Sequence, residues 1–334
     1  MQAMTPHRIL VTGGAGYIGA HTAKYLSRSG LEPVVLDNLS VGHESAVRWG
    51  PLVKCDLADR DRLGTILREY RIDAVIHFAA HCYVGESVTH PDRYFQNNVV
   101  NTLSLLDSMR QHGVGKIVFS SSCATYGVPS ETPISEQTPQ RPINPYGESK
   151  LFVERILQWY GKAYGLQWVA LRYFNAAGAD PEGDLGEKHN PETHLIPLAI
   201  QAVCGQGPEL QVFGLDYSTP DGSAVRDYIH VWDLAAAHVR ALEYLQAGGE
   251  SCALNLGSGT GYSVLQLVRM VEAVSGRAVP VRYAPRRDGD PPVLIADPRR
   301  ASQTLGWNPG CSSIENIVQT AFRWHSRSPQ SLVF

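Results

Sequence analysis

A chain of 334 residues, 43% hydrophobic and 18% charged, has the composition of a globular protein and the length for two joined lobes. Its formal net charge of -3 provides no basic field, so we expect no nucleic-acid partner. No apolar run approaches a membrane span, and the first predicted strand follows the N-terminus too closely for a signal sequence, so we expect no membrane association. The six cysteines are scattered without zinc-site or disulfide spacing, so we predict a cytoplasmic protein with no metal.

The first half of the sequence alternates predicted strands and helices. Strands are predicted at 8–12, 33–37, 52–57, 74–79, 116–121 and 168–172, and helices at 17–29, 59–70, 91–112 and 145–164. Asn144 can cap the last helix, with Pro145 at its first position and Gly165 at its end. Because the strands are nearly all apolar, we predict an α/β fold with a Rossmann-type, doubly wound parallel sheet that is covered on both faces.

The pattern loosens after Tyr173. The stretch 177–197 is rich in Gly, Pro and Asp, and is followed by predicted strands at 210–213 and 280–283 and helices at 195–204, 264–275 and 314–324. A helix near 233–245 and a strand near 253–256 are regular enough to return to the first sheet. We therefore predict a nucleotide-binding domain of residues 1–176, to which about 226–257 return. Residues 177–225 and 258–334 are predicted to form a smaller, irregular α/β lobe that covers a ligand.

A glycine-rich turn marks the first strand–helix junction, where Val11 to Gly19 read VTGGAGYIG. A dinucleotide pyrophosphate binds at such a junction, on the free N–H groups of the helix N-terminus. The spacing departs from GxGxxG and is weak evidence alone. Asp37, at the end of the second strand, can hold the adenosine ribose and would repel a 2′-phosphate, which favours NAD over NADP. Asp56 ends the third predicted strand. It could contact the adenine amino group or, equally, be an ordinary turn residue.

A possible acid–base pair follows in the predicted helix 145–164. Of 15 tyrosines only Tyr146 has a Lys four residues later, which places Lys150 on the same helical face. A positive charge about 6 Å from the phenol, at an effective dielectric near 20, would favour the phenolate by roughly 3 kcal/mol. Tyr146 is thus a candidate general base. The Phe119-Ser-Ser-Ser122 segment ends a buried strand, so one hydroxyl should face the same cleft. Ser122 is the candidate, with a turn serine as the alternative.

The second half offers candidates for binding a diphosphate and a base. Arg226, Arg287 and His194 could meet phosphate oxygens, since Arg presents a planar fork to them. Surface ion pairing is the alternative for each of them. Phe213 could stack on a base, with a core position as its alternative.

These segments resemble the extended short-chain dehydrogenase/reductase superfamily and, within it, the UDP-glucose (UDP-galactose) 4-epimerases. The likeness runs from about Ile9 to Trp324 and rests on VTGGAGYIGAHT, VLDNLS, HFAA…VGESV, FSSSCATYG, INPYGESK, LRYFNAAGADPEGDLGE, VRDYIHVWDLA and APRRDGD. The resemblance implies that Tyr146 is the base, that Lys150 adjusts the pKa of Tyr146, and that Ser122 contacts the sugar hydroxyl. It also implies a homodimer formed through the helices near 91–112 and 146–164.

The resemblance further implies a set of NAD contacts and a set of UDP-sugar contacts. The NAD contacts are Gly13, Gly16, Tyr17, Ile18, Gly19, Asp37, Asn38, Asp56, Leu57, Phe78, Ala79, Asn97, Tyr146, Lys150, Tyr173 and Phe174. The UDP-sugar contacts are Ser122, Asn175, His194, Leu195, Gln211, Phe213, Arg226, Tyr228, Arg287, Asp290 and Leu294.

Three positions differ among members of the family. Cys82 stands where some members have a Lys touching NAD, so that contact is lost or replaced. His194 stands where some have an Asn near the diphosphate; it keeps a donor but could titrate. Leu294 stands where a bulky Tyr restricts the sugar pocket and a small residue admits N-acetylated sugars.

The expected activity is an NAD-dependent interconversion of UDP-glucose and UDP-galactose, with NAD held throughout. A UDP-pentose 4-epimerase would use the same residues and stays open. A nucleotide-sugar 4,6-dehydratase would need a carboxylic acid beside the strand-end hydroxyl, and Ser122-Cys-Ala-Thr-Tyr has none. An NAD-sensing protein without catalysis is a fourth possibility, against which the intact Ser122, Tyr146 and Lys150 argue.

Overall fold

The computed structural model describes residues 7–287 and 289–327. Its strands are β1 Arg8–Thr12, β2 Glu32–Asp37, β3 Leu52–Lys54, β4 Ala74–His77, β5 Lys116–Ser122, β6 Gln167–Tyr173, β7 Asn175–Ala177, β8 Leu210–Phe213, β9 Val225–His230, β10 Cys252–Leu256, β11 Gly261–Ser263, β12 Val281–Ala284 and β13 Val293–Leu294. Its α-helices are α1 Tyr17–Arg28, α2 Arg60–Glu69, α3 Val84–Thr89, α4 Pro91–Tyr94, α5 Asn101–Gln111, α6 Pro145–Tyr164, α7 Leu195–Val203, α8 Val231–Gln246, α9 Val264–Ser275, α10 Arg299–Leu305 and α11 Ile314–His325.

The main sheet has seven strands in the order β10-β6-β5-β4-β1-β2-β3. All neighbouring pairs in it are parallel. The chain builds one side from β1 to β3 and then crosses to β4 on the other side of β1. A cleft forms outside the carboxyl ends of the strands at such a switch point. The predicted Rossmann-type fold class is confirmed.

Apolar side chains of successive strand residues cover both faces of this sheet. Ile9 and Val11 of β1 join one buried cluster, whereas Leu10 between them joins the other. Alternating directions along a strand require this division. Because neither face meets water, the strands carry no polar stripe, which is why the sequence showed near-continuous apolar runs.

Helix α6 has the ends that the sequence predicted. The Asn144 side chain accepts a hydrogen bond from the Gly147 N–H at 2.9 Å, and Pro145 occupies the first turn. Gly165 ends the helix in the left-handed region with φ of 74°. This fixed start holds the face that carries Tyr146 and Lys150 against the sheet.

Two predicted elements differ most from the structure, and the strand predicted at 74–79 ends at His77. The helix predicted at 91–112 is divided into α4, a π-helical stretch Phe95–Val100 and α5. Within this stretch the Asn98 side chain accepts from the His81 N–H at 2.8 Å and donates to the His81 carbonyl at 3.0 Å, so it serves a loop across the helix surface. The strand predicted at 52–57 ends at Lys54, since the Asp56 side chain forms a turn with the Ala58 N–H.

The second lobe has its own sheets and core. Strand β9 pairs with β7, β11 and β13, and β8 pairs with β12. Helices α7, α9 and α11 close a separate apolar cluster. Within 226–257, β10 joins the main sheet and α8 packs on α1, whereas β9 belongs to the second lobe. We keep the division into two lobes as a proposal. In the described part of the chain no helix is long and apolar enough to cross a membrane.

Candidate active site

One cleft at the carboxyl ends of β1, β2, β4, β5 and β6 brings the predicted cofactor residues together. All of them line it: Gly13, Gly16, Tyr17, Ile18, Gly19, Asp37, Asn38, Asp56, Leu57, Phe78, Ala79, Asn97, Tyr146, Lys150, Tyr173 and Phe174. Among the predicted substrate residues, Ser122, Asn175 and His194 line the same cleft. The cleft therefore joins the glycine turn to the proposed acid–base residues.

The glycine turn leaves no room for side chains. Gly13 has φ of +69°, and a Cβ on it would lie 2.6 Å from the Ala79 N. A Cβ on Gly19 would lie 2.3 Å from the Gly13 carbonyl oxygen. The turn thus holds the first turn of α1 close to β1, with bare backbone facing the cleft. Such a surface fits a pyrophosphate, which binds to exposed N–H groups at a helix N-terminus.

Asp37 ends β2, where a carboxylate can bind the adenosine ribose, and Asp56 follows β3. The Asp37 carboxylate accepts from the Ala15 N–H at 3.0 Å and from the Leu39 N–H at 2.9 Å. Burial raises the pKa of Asp37, and these two hydrogen bonds act in the opposite direction. The Asn38 amide donates to Asp56 at 2.8 Å. The residues present fit NAD, although the roles of single residues stay predictions.

The three serines at the end of β5 point in alternate directions. The Ser120 hydroxyl meets the Tyr173 hydroxyl at 2.8 Å, and the Ser121 hydroxyl donates to Glu154 at 2.6 Å on the opposite face. Ser122 returns to the cleft face, as the period of two requires. Its Oγ accepts from the Ala124 N–H at 3.1 Å, which fixes the side chain. Ser122 is therefore the serine that faces Tyr146.

Tyr146 and Lys150 have the predicted separation, but the pKa of Tyr146 differs from the expectation. The Lys150 Nζ lies 5.9 Å from the centre of the Tyr146 ring and donates to the Ser120 carbonyl at 2.8 Å. Burial raises the pKa of Tyr146 well above its ordinary value, Tyr173 raises it further, and the hydrogen bond with Ser122 lowers it. Burial also lowers the pKa of Lys150 to about 8. The pKa expected for Tyr146 from the sequence took account of the charge of Lys150 but not of the burial of the phenol.

Most predicted substrate residues do not line the cleft. Arg226 pairs with Asp290 at 2.7 Å, and the Arg287 guanidinium lies 4.0 Å from the centre of the Phe213 ring. Tyr228 is buried in the apolar core of the second lobe, and Leu195 packs against that core. Gln211 is exposed, and Leu294 packs against a small apolar cluster that includes Phe174. These side chains therefore belong to the second lobe and do not all meet at one point.

Residues that the sequence analysis left out also line the cleft. Glu187 and His189 do so, and the motif Glu187-x-His189-x2-Glu192-x-His194 could have pointed to them. His194 does not titrate near neutrality, contrary to our expectation. Although burial lowers its pKa, Glu187 and Glu192 raise the pKa of His194 to about 11. Cys82, which the resemblance places where some members have a Lys, also lines the cleft.

Comparison with known proteins agrees with this geometry. The profile of the NAD dependent epimerase/dehydratase family matches residues 9–257. A UDP-glucose 4-epimerase of Rhizobium meliloti is 52% identical over 327 residues, covering 98% of this chain and 99% of the relative. The structure of a UDP-glucose 4-epimerase from Brucella ovis in complex with NAD is 54% identical, with a TM-score of 0.94, covering 96% of this chain and 98% of that one. A UDP-glucose-4-epimerase from Stenotrophomonas maltophila, with bound NAD and formylated UDP-arabinopyranose, is 40% identical, with a TM-score of 0.92 over 96% of this chain and 98% of that one.

The doubly wound sheet, the glycine turn and the Tyr146–Lys150 pair define the class of protein, an NAD-binding α/β enzyme. The chain belongs to the NAD dependent epimerase/dehydratase family. It is an isomerase, and its cofactor is NAD, as predicted.

Proposed function

We propose that this enzyme interconverts UDP-glucose and UDP-galactose by oxidation at C4, rotation of the 4-keto sugar and re-reduction on its other face. The observation that carries the proposal is that Tyr146, Lys150 and Ser122 lie in the cleft that begins at the glycine turn. The names of relatives at about half identity support the substrate pair, since the Rhizobium meliloti and Halalkalibacterium halodurans proteins are both UDP-glucose 4-epimerases.

Tyr146 is the proposed base for the sugar O4 proton. Its hydroxyl lies in a buried pocket, where the phenolate is costly unless positive charge and hydrogen bonds stabilise it. Lys150 supplies one charge, held in place by the Ser120 carbonyl. Ser122, fixed by the Ala124 N–H, supplies a hydroxyl for the same oxygen. Acid–base assistance of this kind contributes typically about 10²–10⁴-fold.

The glycine turn, Asp37 and Asn38 would hold NAD. When bound, NAD would supply the acceptor for the C4 hydride and the donor that returns it. Because the cofactor ends each cycle as it began, the protein has no need to release it. The diphosphate has to be held firmly while the sugar turns, so the binding energy belongs on the nucleotide. Asn175 of β7 lies in the cleft and donates to the Asp227 carbonyl at 2.8 Å, which ties the substrate side to β9.

The test is turnover of purified protein with separate UDP-sugars and no added NAD, followed by chromatographic separation of the products. We expect UDP-glucose and UDP-galactose to interconvert. Tyr146→Phe is the inactive control, because it keeps the ring and removes the proton acceptor. Absence of hexose turnover by protein that contains NAD would refute the proposed substrate pair.

A UDP-pentose 4-epimerase is the second candidate. The Stenotrophomonas maltophila structure, 40% identical, contains a UDP-arabinopyranose derivative, so a related cleft admits a pentose ring. UDP-xylose and UDP-arabinose therefore belong in the same assay. A kcat/KM higher for the pentoses than for the hexoses would favour this second function.

We also propose a homodimer that forms through the helices 91–111 and 145–164. The Phe95 and Phe152 rings lie 6.0 Å apart between these helices. Val100, Phe152 and Trp159 on their outer side are exposed, with Trp159 67% exposed. Exposed apolar side chains grouped on adjoining helices are typical of an interface.

Sedimentation of the wild type and of Trp159→Asp tests the dimer. We expect the substitution to shift the mass towards the monomer, whereas Tyr283→Asp, at another exposed aromatic position in the second lobe, leaves it unchanged. Equal masses for all three proteins would contradict this interface.

We also propose a cytoplasmic location. It is supported by the six cysteines, which are all free in the structure.

A further inference from the structure

A cluster of four side chains lies in the loop between β7 and α7, on the border of the cleft. It consists of Glu187, His189, Glu192 and His194, which we call the Glu–His cluster. One donor atom from each residue lies within 4.8 Å of the other three. We propose that the Glu–His cluster binds one divalent transition-metal ion, with zinc the best match, and that this ion fixes the loop 178–194 beside the cofactor.

The donor atoms converge closely enough to share one ion after a small adjustment. The His194 Nδ1 lies 2.8 Å from Glu187 and 2.9 Å from Glu192, and the His189 Nδ1 lies 3.1 Å from Glu187 and 3.8 Å from Glu192. Bonds of about 2.0–2.2 Å in a tetrahedral zinc site separate neighbouring ligand atoms by roughly 3.3–3.6 Å. Three of the four separations are shorter than this range and one is longer, so the side chains have to move outward by a few tenths of an ångström to admit the ion.

The charges of the cluster also match a divalent cation. Glu187 is 3% exposed and Glu192 is 6% exposed by side chain, and across 7–287 and 289–327 their ion pairs are with His189 and His194 alone. In the deprotonated form that binds a metal, the two imidazoles and two carboxylates together carry a charge of about −2, which one divalent ion neutralises. Imidazole with carboxylate is a ligand set that suits zinc and neighbouring transition metals.

A second carboxylate group in the same loop shows the contrast. Asp180, Glu182 and Asp184 also converge, but they surround the Lys24 Nζ at 2.7, 3.0 and 2.8 Å. A cation of this chain therefore already occupies that group. The Glu–His cluster has no Lys or Arg within ion-pair distance among the described residues.

Neighbouring contacts orient the ligands. The Glu192 carboxylate accepts from the N–H groups of Thr193 and His194 at 2.7 and 2.8 Å, and the Trp324 indole N–H donates to the Glu187 carbonyl at 3.1 Å. Such surrounding hydrogen bonds hold metal ligands in position. Four protein ligands leave no open coordination position, so the ion has a structural role. This assignment takes His194 away from the diphosphate and replaces our expectation of no metal, which considered cysteines alone.

The test uses untagged protein with its NAD retained. Protein treated with chelator is incubated with ZnSO₄, desalted and analysed for zinc by mass spectrometry, and its Tm is compared with and without zinc. We expect one zinc per chain and a higher Tm in the wild type, and loss of both in Glu187→Gln and His189→Asn. His43→Asn, whose ring meets the Lys188 carbonyl at 3.0 Å outside the cluster, should bind zinc like the wild type.

Co²⁺ provides a readout that needs no variant. Bound in the cluster, it should give the visible absorption of a tetrahedral site without the near-ultraviolet band of a cobalt thiolate. Wild-type protein that retains no zinc, or zinc content unchanged in both cluster variants, overturns the proposal. A cobalt thiolate band also overturns it, because the metal would then sit on cysteines.

Discussion

The cofactor side and the substrate side of the cleft differ in how their residues reach the ligand. On the cofactor side, every predicted residue lines the cleft. On the substrate side, Ser122, Asn175 and His194 line it, while Arg226 and Arg287 lie away from it against Asp290 and Phe213. The predicted residues of the first side are gathered around the cleft, and those of the second are dispersed.

The difference follows from the elements that carry the residues. Gly13, Asp37 and Phe78 stand at the carboxyl ends of the neighbouring parallel strands β1, β2 and β4, so the register of the sheet fixes their separation. Arg287 and Asp290 stand in a connection between the short strands β12 and β13, where few main-chain bonds set a position. We expect substitutions on the cofactor side to remove activity or NAD, and substitutions on the substrate side to alter selectivity.

The largest expected effect is that of Tyr146→Phe. It should lower kcat by about 10²–10⁴-fold and leave bound NAD unchanged, since only the proton acceptor is lost. The measurement is turnover of UDP-galactose together with the nicotinamide content of denatured protein. Tyr160→Phe is the control on the same helix, because that hydroxyl donates to Asp107 at 2.8 Å outside the cleft. More than a few per cent of activity in Tyr146→Phe would remove Tyr146 as the base.

The same division explains what could be predicted from the sequence. The period of two in β5, the cap at Asn144 and the four-residue spacing of Tyr146 and Lys150 are local, and the structure retains each of them. The π-helical stretch Phe95–Val100 depends on a loop that Asn98 contacts, and strand β9 depends on partners far along the chain. The burial that raises the pKa of Tyr146 is likewise a property of the packed molecule.

The next effect concerns Asp37. Wild-type protein should release NAD(H) and no NADP(H) on denaturation, because the carboxylate at the ribose position repels a 2′-phosphate. Asp37→Asn should weaken NAD binding by about 10- to 150-fold, the usual value of hydrogen bonds to a charged group, and reduce the preference over NADP. Titration of both cofactors measures this, with the exposed Asp61→Asn as control. NADP(H) in the wild-type extract would refute the role of Asp37.

On the substrate side, Leu294 should set the size of sugar that is accepted. It packs against a small apolar cluster that includes Phe174, and Phe174 lines the cleft. We expect UDP-N-acetylglucosamine to be a poor substrate, since added bulk costs on the order of 1–3 kcal/mol. Leu294→Ser should raise that activity and Leu294→Tyr should abolish it, while UDP-galactose turnover is retained. Val293→Ser, its neighbour in β13, is the control. An unchanged ratio of the two activities in both variants would place Leu294 outside the sugar pocket.

The smallest expected effect is a dependence of activity on pH, which tests the role of a buried charge on the cofactor side. Burial lowers the pKa of Lys150 to about 8, so its positive charge is present below that pH and is lost as the pH rises through it. Since we propose that this charge stabilises the Tyr146 phenolate, we expect kcat/KM to fall above pH of about 8. The loss should be about twofold at the pKa and about tenfold one unit above it. Lys150→Arg keeps its charge in this range, so its activity, although lower, should have no alkaline decline there. The same decline in both proteins would assign it to another group and leave the charge of Lys150 without a catalytic role.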